Sequence, residues 1–184
     1  MTSIDTPYGP INSALLQRLK KIKLLACDVD GVFSDGRIYM GQDGEELKAF
    51  HTKDGYGIKA IQKMGIEVAI ITGRSSNMVE TRMTSLGVKH ILQGCENKRP
   101  ALEKLQAELG LNTNSTAAIG DDMPDIGMFQ LSALNVCVQD GHPVVANSAH
   151  YVTRTKGGFG AVRELCDLIL LANNQLQLIH GSSV

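Results

Sequence analysis

Asp28 and Asp30, in Asp28-Val29-Asp30-Gly31-Val32 directly after the apolar run of residues 22–27, are the residues best placed to do chemistry. A buried strand that breaks into a glycine turn sends both carboxylates out of its C-terminal edge, the edge at which open parallel α/β sheets bind ligands. Carboxylates held this close repel one another unless a cation lies between them or one carries a proton. Asp and Gly are also ordinary turn residues, so this segment by itself reads equally as a strand followed by a turn.

Three later segments change the balance. The run Val68-Ala69-Ile70-Ile71-Thr72-Gly73-Arg74 ends a second buried strand in a hydroxyl, a glycine and a base. The hydroxyl and the free N–H groups of the helix start that follows suit a phosphate oxygen; alone, the segment is a Thr-Gly turn. Lys98 opens a helix, the end whose dipole prefers anions, so it is either a solvated surface lysine or has an anion beside it. Ile119-Gly120-Asp121-Asp122-Met123-Pro124-Asp125 puts three carboxylates within five residues. That is an oxygen-rich set suited to Mg²⁺, in which one carboxylate serves as ligand and at least one is structural, a helix cap for instance.

The elements that must position these residues alternate. Short apolar runs at residues 22–27, 68–72, 90–92, 116–119, 136–138 and 151–153 predict strands. Helices are expected near 55–64, 75–86, 98–109, 123–131, 143–147 and 159–172, after a short one capped by Asn12. Alternation of this kind implies right-handed crossovers and an α/β fold, a doubly wound, mostly parallel sheet with helices on both faces. Residues 36–51 depart from the rhythm and read as an inserted β-hairpin around Gly41-Gln42-Asp43-Gly44. Residues 1–11 read as a loose arm and 173–184 as a tail. Lys156-Gly157-Gly158-Phe159-Gly160 would give the chain before the last helix freedom to reach away from its own core. Nothing divides the 184 residues, so a single domain is expected.

Bulk properties exclude several functions. A net charge of -1, with 43% hydrophobic and 20% charged residues, gives no electrostatic reason to expect nucleic acid. No apolar stretch approaches the roughly 20 residues that span a bilayer, and the N-terminus lacks the basic-then-apolar order of a signal peptide. The four cysteines are scattered without a CxxC pair and read as small buried residues in a reducing compartment, the cytoplasm. The five histidines show no metal-ligand spacing.

Taken together, Asp28-x-Asp30, Thr72, Lys98 and Gly120-Asp121-Asp122-x-x-Asp125 resemble the four motifs of the haloacid dehalogenase superfamily of phosphohydrolases, and the hairpin looks like its flap. The resemblance implies a Rossmann-like core in which Asp28 is the nucleophile and Asp30 the general acid and base. It makes Thr72 and Lys98 the phosphate-neutralising groups, with Mg²⁺ held by Asp28, Asp30 (through its main-chain carbonyl) and Asp121. The segments Thr52-Lys53-Asp54-Gly55-Tyr56-Gly57-Ile58-Lys59, Ile71-Thr72-Gly73-Arg74, Arg82 and residues 157–164 look like the branch acting on eight-carbon keto-sugar acid phosphates in lipopolysaccharide inner-core precursor synthesis. No cap domain fits between the motifs. That branch implies a homotetramer with packed flaps, in which His51, Thr52, Lys53, Asp54, Gly55 and Lys59 form a substrate rim together with Asp30 and Lys98. Arg74 and Arg82 are candidates for the sugar-acid carboxylate, since guanidinium grips it in two places; for Arg82 and Lys59 a solvated helix face remains the alternative. A nine-carbon keto-sugar acid phosphate, or a non-catalytic oligomeric binding protein on the same scaffold, are the competing functions. The C-terminal tail is expected to cover an active site in the oligomer.

Overall fold

The computed structural model describes residues 3–176. Six parallel strands, β1 (Leu24–Cys27), β2 (Glu67–Ile71), β3 (His90–Leu92), β4 (Thr116–Gly120), β5 (Leu134–Cys137) and β6 (Tyr151–Val152), form the central sheet. Their spatial order is β3-β2-β1-β4-β5-β6. The order reverses direction between β1 and β4, and that switch point opens a crevice beyond the carboxyl ends of the two strands. Asp28 follows β1, Asp121 follows β4 and Thr72 follows β2, so topology alone delivers three of the four motifs to one edge.

Period-two alternation along the strands divides the core. Leu25, Cys27, Val68, Ile70, Ala117 and Ile119 face one side, where α1 (Ser13–Leu19), α2 (Thr52–Lys63), α3 (Asn77–Ser85) and α7 (Ala161–Ala172) cover them. Leu24, Ala26, Ala69, Ile71 and Ala118 face the other, against α4 (Lys98–Leu109), α5 (Ile126–Phe129) and α6 (Pro143–Ser148). Strands buried on both faces read as continuous apolar runs, which is why they stand out in the sequence.

Three expectations need correction. The arm of residues 1–11 is not loose where it is described. Ser3–Ile4 pairs antiparallel with Ile11–Asn12, Ile11 is buried, and the Tyr8 hydroxyl donates to Asp167 Oδ2 on α7 at 2.7 Å. The expected helix at 123–131 is a 3-10 turn, Met123–Asp125, followed by a single turn of α5. The glycine-rich loop does not reach away from the core. Gly158 N donates to Val32 O at 2.9 Å, Gly157 N donates to Asp140 Oδ1 at 2.9 Å, and a Cβ on Gly157 would stand 1.6 Å from the Gly31 carbonyl oxygen. The glycines permit a close approach of two backbones, the loop clamping the turn that carries Asp28 and Asp30. Of the expected tail, residues 177–184 lie outside the described residues.

The flap is shorter than its sequence signal. Only Tyr39–Met40 and Glu46–Leu47 pair, with Tyr39 opposite Leu47. Among the described residues no cap domain is present: between β2 and α4 the chain holds only α3, β3 and their loops.

Candidate active site

Asp28, Asp30, Thr72, Arg74, Lys98, Asp121 and Asp125 line one cleft of about 490 Å³ at the switch point. Lys98, the first residue of α4, is buried, and its Nζ lies 2.6 Å from both Asp28 Oδ1 and Asp125 Oδ1. Two carboxylates therefore supply the anion that a lysine at a helix N-terminus requires. Burial works against the Lys98 charge, but Asp28 and Asp125 outweigh it and hold the ammonium above its ordinary pKa.

Asp125 has both oxygens engaged. Oδ1 meets Lys98, and Oδ2 accepts from Asp121 N at 2.8 Å and Asp122 N at 3.2 Å. Asp122 caps the 3-10 turn by accepting from Met123 N, completing a reciprocal capping box with Asp125. Asp125 and Asp122 thus have hydrogen bonds within their own loop to satisfy, whereas Asp121, on the same cleft, keeps an oxygen free for a ligand. One oxygen of Asp121, Oδ1, is buried without a hydrogen-bond partner. Oxygens of Asp28, Asp121 and Asp125 lie within 4.8 Å of one another. Burial, then the charge of Asp125, raise Asp28 to about 6 despite Lys98; burial, then the charges of Asp28 and Asp125, raise Asp121 to about 8. An orphaned buried oxygen in an all-oxygen set under mutual repulsion fits a hard divalent cation such as Mg²⁺.

Gly31 makes this convergence possible. Its φ of 89° turns the chain after Asp30, and a Cβ there would stand 2.1 Å from Asp121 Oδ2.

The flap contributes two residues that the sequence reading passed over. Lys48, with its side chain almost fully buried, forms an ion pair with Asp30 Oδ1 and lies 3.5 Å from Glu46 Oε1. Glu46 sets both carboxylate oxygens 2.8 Å from Arg74 Nη2. A chain of charges, Asp30–Lys48–Glu46–Arg74, bridges the cleft mouth. The sequence signal was the charged flap arm Glu45-Glu46-Leu47-Lys48, in which only alternation about exposed Leu47 marks Glu46 and Lys48 as inward.

The expected rim residues are placed differently. His51 caps α2 through Nδ1, accepting from Lys53 N at 3.1 Å, which starts the helix three residues earlier than expected. Thr52 and Lys53 are exposed on its first turn, but Asp54 and Gly55 are buried against α7. Asp54 Oδ1 accepts from Arg163 N at 2.8 Å, Oδ2 has no partner, and burial raises the carboxyl to about 7. Arg82 lies in a neighbouring cavity with Lys48, Phe50 and Met78, and Lys59 lies in a groove with Lys63, Glu67 and Lys89. None of these residues lines the cleft that holds Asp28 and Asp121. Cys95 is also a departure: it lines that cleft, whereas Cys27, Cys137 and Cys166 are buried and all four thiols are free.

A paired-aspartate turn at the switch point of a Rossmann-ordered sheet, with a hydroxyl, a lysine and an acidic loop around it, defines a haloacid dehalogenase-like hydrolase, and the sequence profile of that class matches residues 91–165. More specifically, the chain belongs to the 3-deoxy-D-manno-octulosonate 8-phosphate phosphatase family. It is 51% identical to the Yersinia pestis phosphatase of that name over 181 residues, 98% of this chain and 97% of that protein. The crystal structure of the Yersinia pestis phosphatase superposes with a TM-score of 0.96 at 50% identity, covering 100% of this chain and 99% of the other. The Moraxella catarrhalis phosphatase, crystallised in complex with a magnesium ion, a phosphate ion and a KDO molecule, superposes with a TM-score of 0.89 at 43% identity, covering 91% of this chain and 97% of the other.

Proposed function

We propose that this protein is a Mg²⁺-dependent phosphomonoesterase that hydrolyses 3-deoxy-D-manno-octulosonate 8-phosphate to the free sugar acid and phosphate. The chemistry rests on one observation above all: Lys98 Nζ held between Asp28 and Asp125, whose oxygens cluster with that of Asp121 at the switch point. The substrate is that of the relatives matched over nearly the whole chain.

Asp28 attacks phosphorus in line, forming an aspartyl-phosphate as the ester P–O bond breaks. Asp30 gives its proton to the leaving sugar oxygen. It then takes a proton from the water that attacks phosphorus, which releases phosphate and restores Asp28. Thr72 and Lys98 hold the equatorial oxygens and neutralise their charge. Mg²⁺ would be held by Asp28, Asp121 and the main-chain carbonyl of Asp30, where it supplies electrostatic stabilisation of the phosphoryl group. Arg74, on the cleft wall, takes the sugar-acid carboxylate.

We further propose a homotetramer. Ile38, Tyr39, Met40 and Leu47 leave the flap apolar and exposed, which suits packing against the flaps of other copies. His51, Thr52, Lys53, Lys59 and Arg82 do not line their own subunit's cleft, so their part in substrate binding is to a neighbour's site, while buried Asp54 and Gly55 support the first turn of α2 behind them. Four free thiols suit a reducing cytoplasmic compartment, and among the described residues no helix is long and apolar enough to cross a membrane.

A substrate panel tests the reading. Phosphate release with Mg²⁺ is measured from the octulosonate 8-phosphate, a nine-carbon keto-sugar acid 9-phosphate, and p-nitrophenyl phosphate. The eight-carbon substrate should give the highest kcat/KM. Preference for the nine-carbon ester would reassign the substrate, and no turnover of any would overturn the enzyme reading.

A further inference from the structure

We infer that Glu46 is an internal stand-in for the substrate carboxylate, occupying Arg74 until substrate arrives and reclaiming it as product leaves. The inference rests on the reading above that Arg74 receives a sugar-acid carboxylate. Its own ground is the flap geometry. Both Glu46 oxygens lie 2.8 Å from Arg74 Nη2, and Arg74 lines the catalytic cleft. A flap carboxylate therefore already sits on the cation that the ligand carboxylate needs.

Glu46 also has somewhere to go. Lys48 Nζ is 3.5 Å from Glu46 Oε1, and Lys48 is anchored by its ion pair with Asp30. When a substrate carboxylate takes Arg74, Glu46 keeps a cation beside it, and the exchange leaves no bare buried charge. This lowers the cost of displacement compared with stranding a carboxylate in the cleft mouth. In the reverse direction, Glu46 competes with the carboxylate of the sugar-acid product, whose phosphate has already been lost. Inorganic phosphate has no carboxylate and does not meet this competition. Glu46 is thus a specificity-setting residue that acts on carboxylate ligands through Arg74.

The test is inhibition by the two products, measured separately. The free octulosonate and inorganic phosphate are titrated against wild-type, Glu46→Gln, Arg74→Ala and the double variant, with folding checked by circular dichroism melts. Arg74 is half-exposed, so the competing pair is screened and its removal should tighten octulosonate binding roughly two- to fivefold. Phosphate inhibition should stay the same, and in the Arg74→Ala background Glu46→Gln should have no effect on octulosonate, a coupling that a double-mutant cycle reads directly. Glu46→Asp, which keeps the charge on a shorter arm, should fall between wild-type and Glu46→Gln. A flap held in place only structurally by Glu46 would instead weaken binding of both products together. Unchanged or weaker octulosonate binding in Glu46→Gln would overturn the inference. If octulosonate binds none of the proteins, wild-type included, the substrate reading itself fails, and the stand-in role fails with it.

Discussion

At the scale of single residues, the site is a small volume of opposed charge in which Lys98 holds two carboxylates together. Removing it as Lys98→Met leaves Asp28 and Asp125 buried without a cation, and breaking a buried pair in this way costs on the order of 3 kcal/mol. Urea melts of the metal-free variant should show that loss, along with little phosphatase activity; a wild-type midpoint would mean the pairs contribute nothing to folding. The raised carboxylates make a second prediction. Asp28 at about 6 and Asp121 at about 8 both stand above the ordinary 3.8, so folding favours their protonated forms. That contribution is complete below the unfolded pKa of about 4 and is lost as pH rises through the folded values. Metal-free protein should therefore melt at falling temperature from about pH 5 to about pH 8.5, and Mg²⁺ should stabilise it more at the alkaline end because its ligands must be deprotonated. Melts with EDTA and with Mg²⁺ at each pH check both slopes, and an equal Mg²⁺ effect across the range would contradict them. Asp28, Thr72, Lys98 and Asp121 were legible in sequence because each ends a strand or opens a helix in a doubly wound pattern. Glu46 and Lys48 were not. Their reach depends on how the flap folds over the cleft, a long-range contact that local patterning does not encode.

At the scale of elements, strand and helix identities followed from apolar runs and caps, and the errors sit where tertiary contact overrides local signal. The second helix was expected to start at residue 55, but the His51 ring caps α2 and starts it at Thr52. Asp54 was expected on the substrate rim, yet it is buried and binds the first turn of α7 by accepting from Arg163 N. The glycine-rich loop was read as freedom, whereas Gly157 is there for contact, since a Cβ on it would meet the Gly31 carbonyl oxygen at 1.6 Å. Gly157→Ala should consequently force the two backbones apart, costing roughly 2–3 kcal/mol. Because the displaced turn carries Asp28 and Asp30, kcat should fall as well. Paired thermal melts and steady-state kinetics measure the two effects, and a variant as stable and active as wild-type would show that the clamp is dispensable.

At the scale of the whole molecule, the fold supplies an edge, a cluster and a flap, but no cap to shut the cleft among the described residues. Met40 is 75% exposed and stands beside Ile38, Tyr39 and Leu47, the apolar surface on which the proposed homotetramer rests. Met40→Asp with Leu47→Asp should therefore lower the mass found by light scattering while changing the subunit's own melting little; an unchanged mass would remove the flap from the assembly. The proposed chemistry depends on Asp28 as nucleophile more than on anything else. The most direct measurement is phosphate release from 3-deoxy-D-manno-octulosonate 8-phosphate, with Mg²⁺, by wild-type and Asp28→Asn protein of matched fold. Wild-type should turn over steadily and Asp28→Asn should be slower by about 10⁴-fold or more, as expected when a nucleophile is removed. Near-wild-type release by Asp28→Asn would contradict the aspartyl-phosphate mechanism.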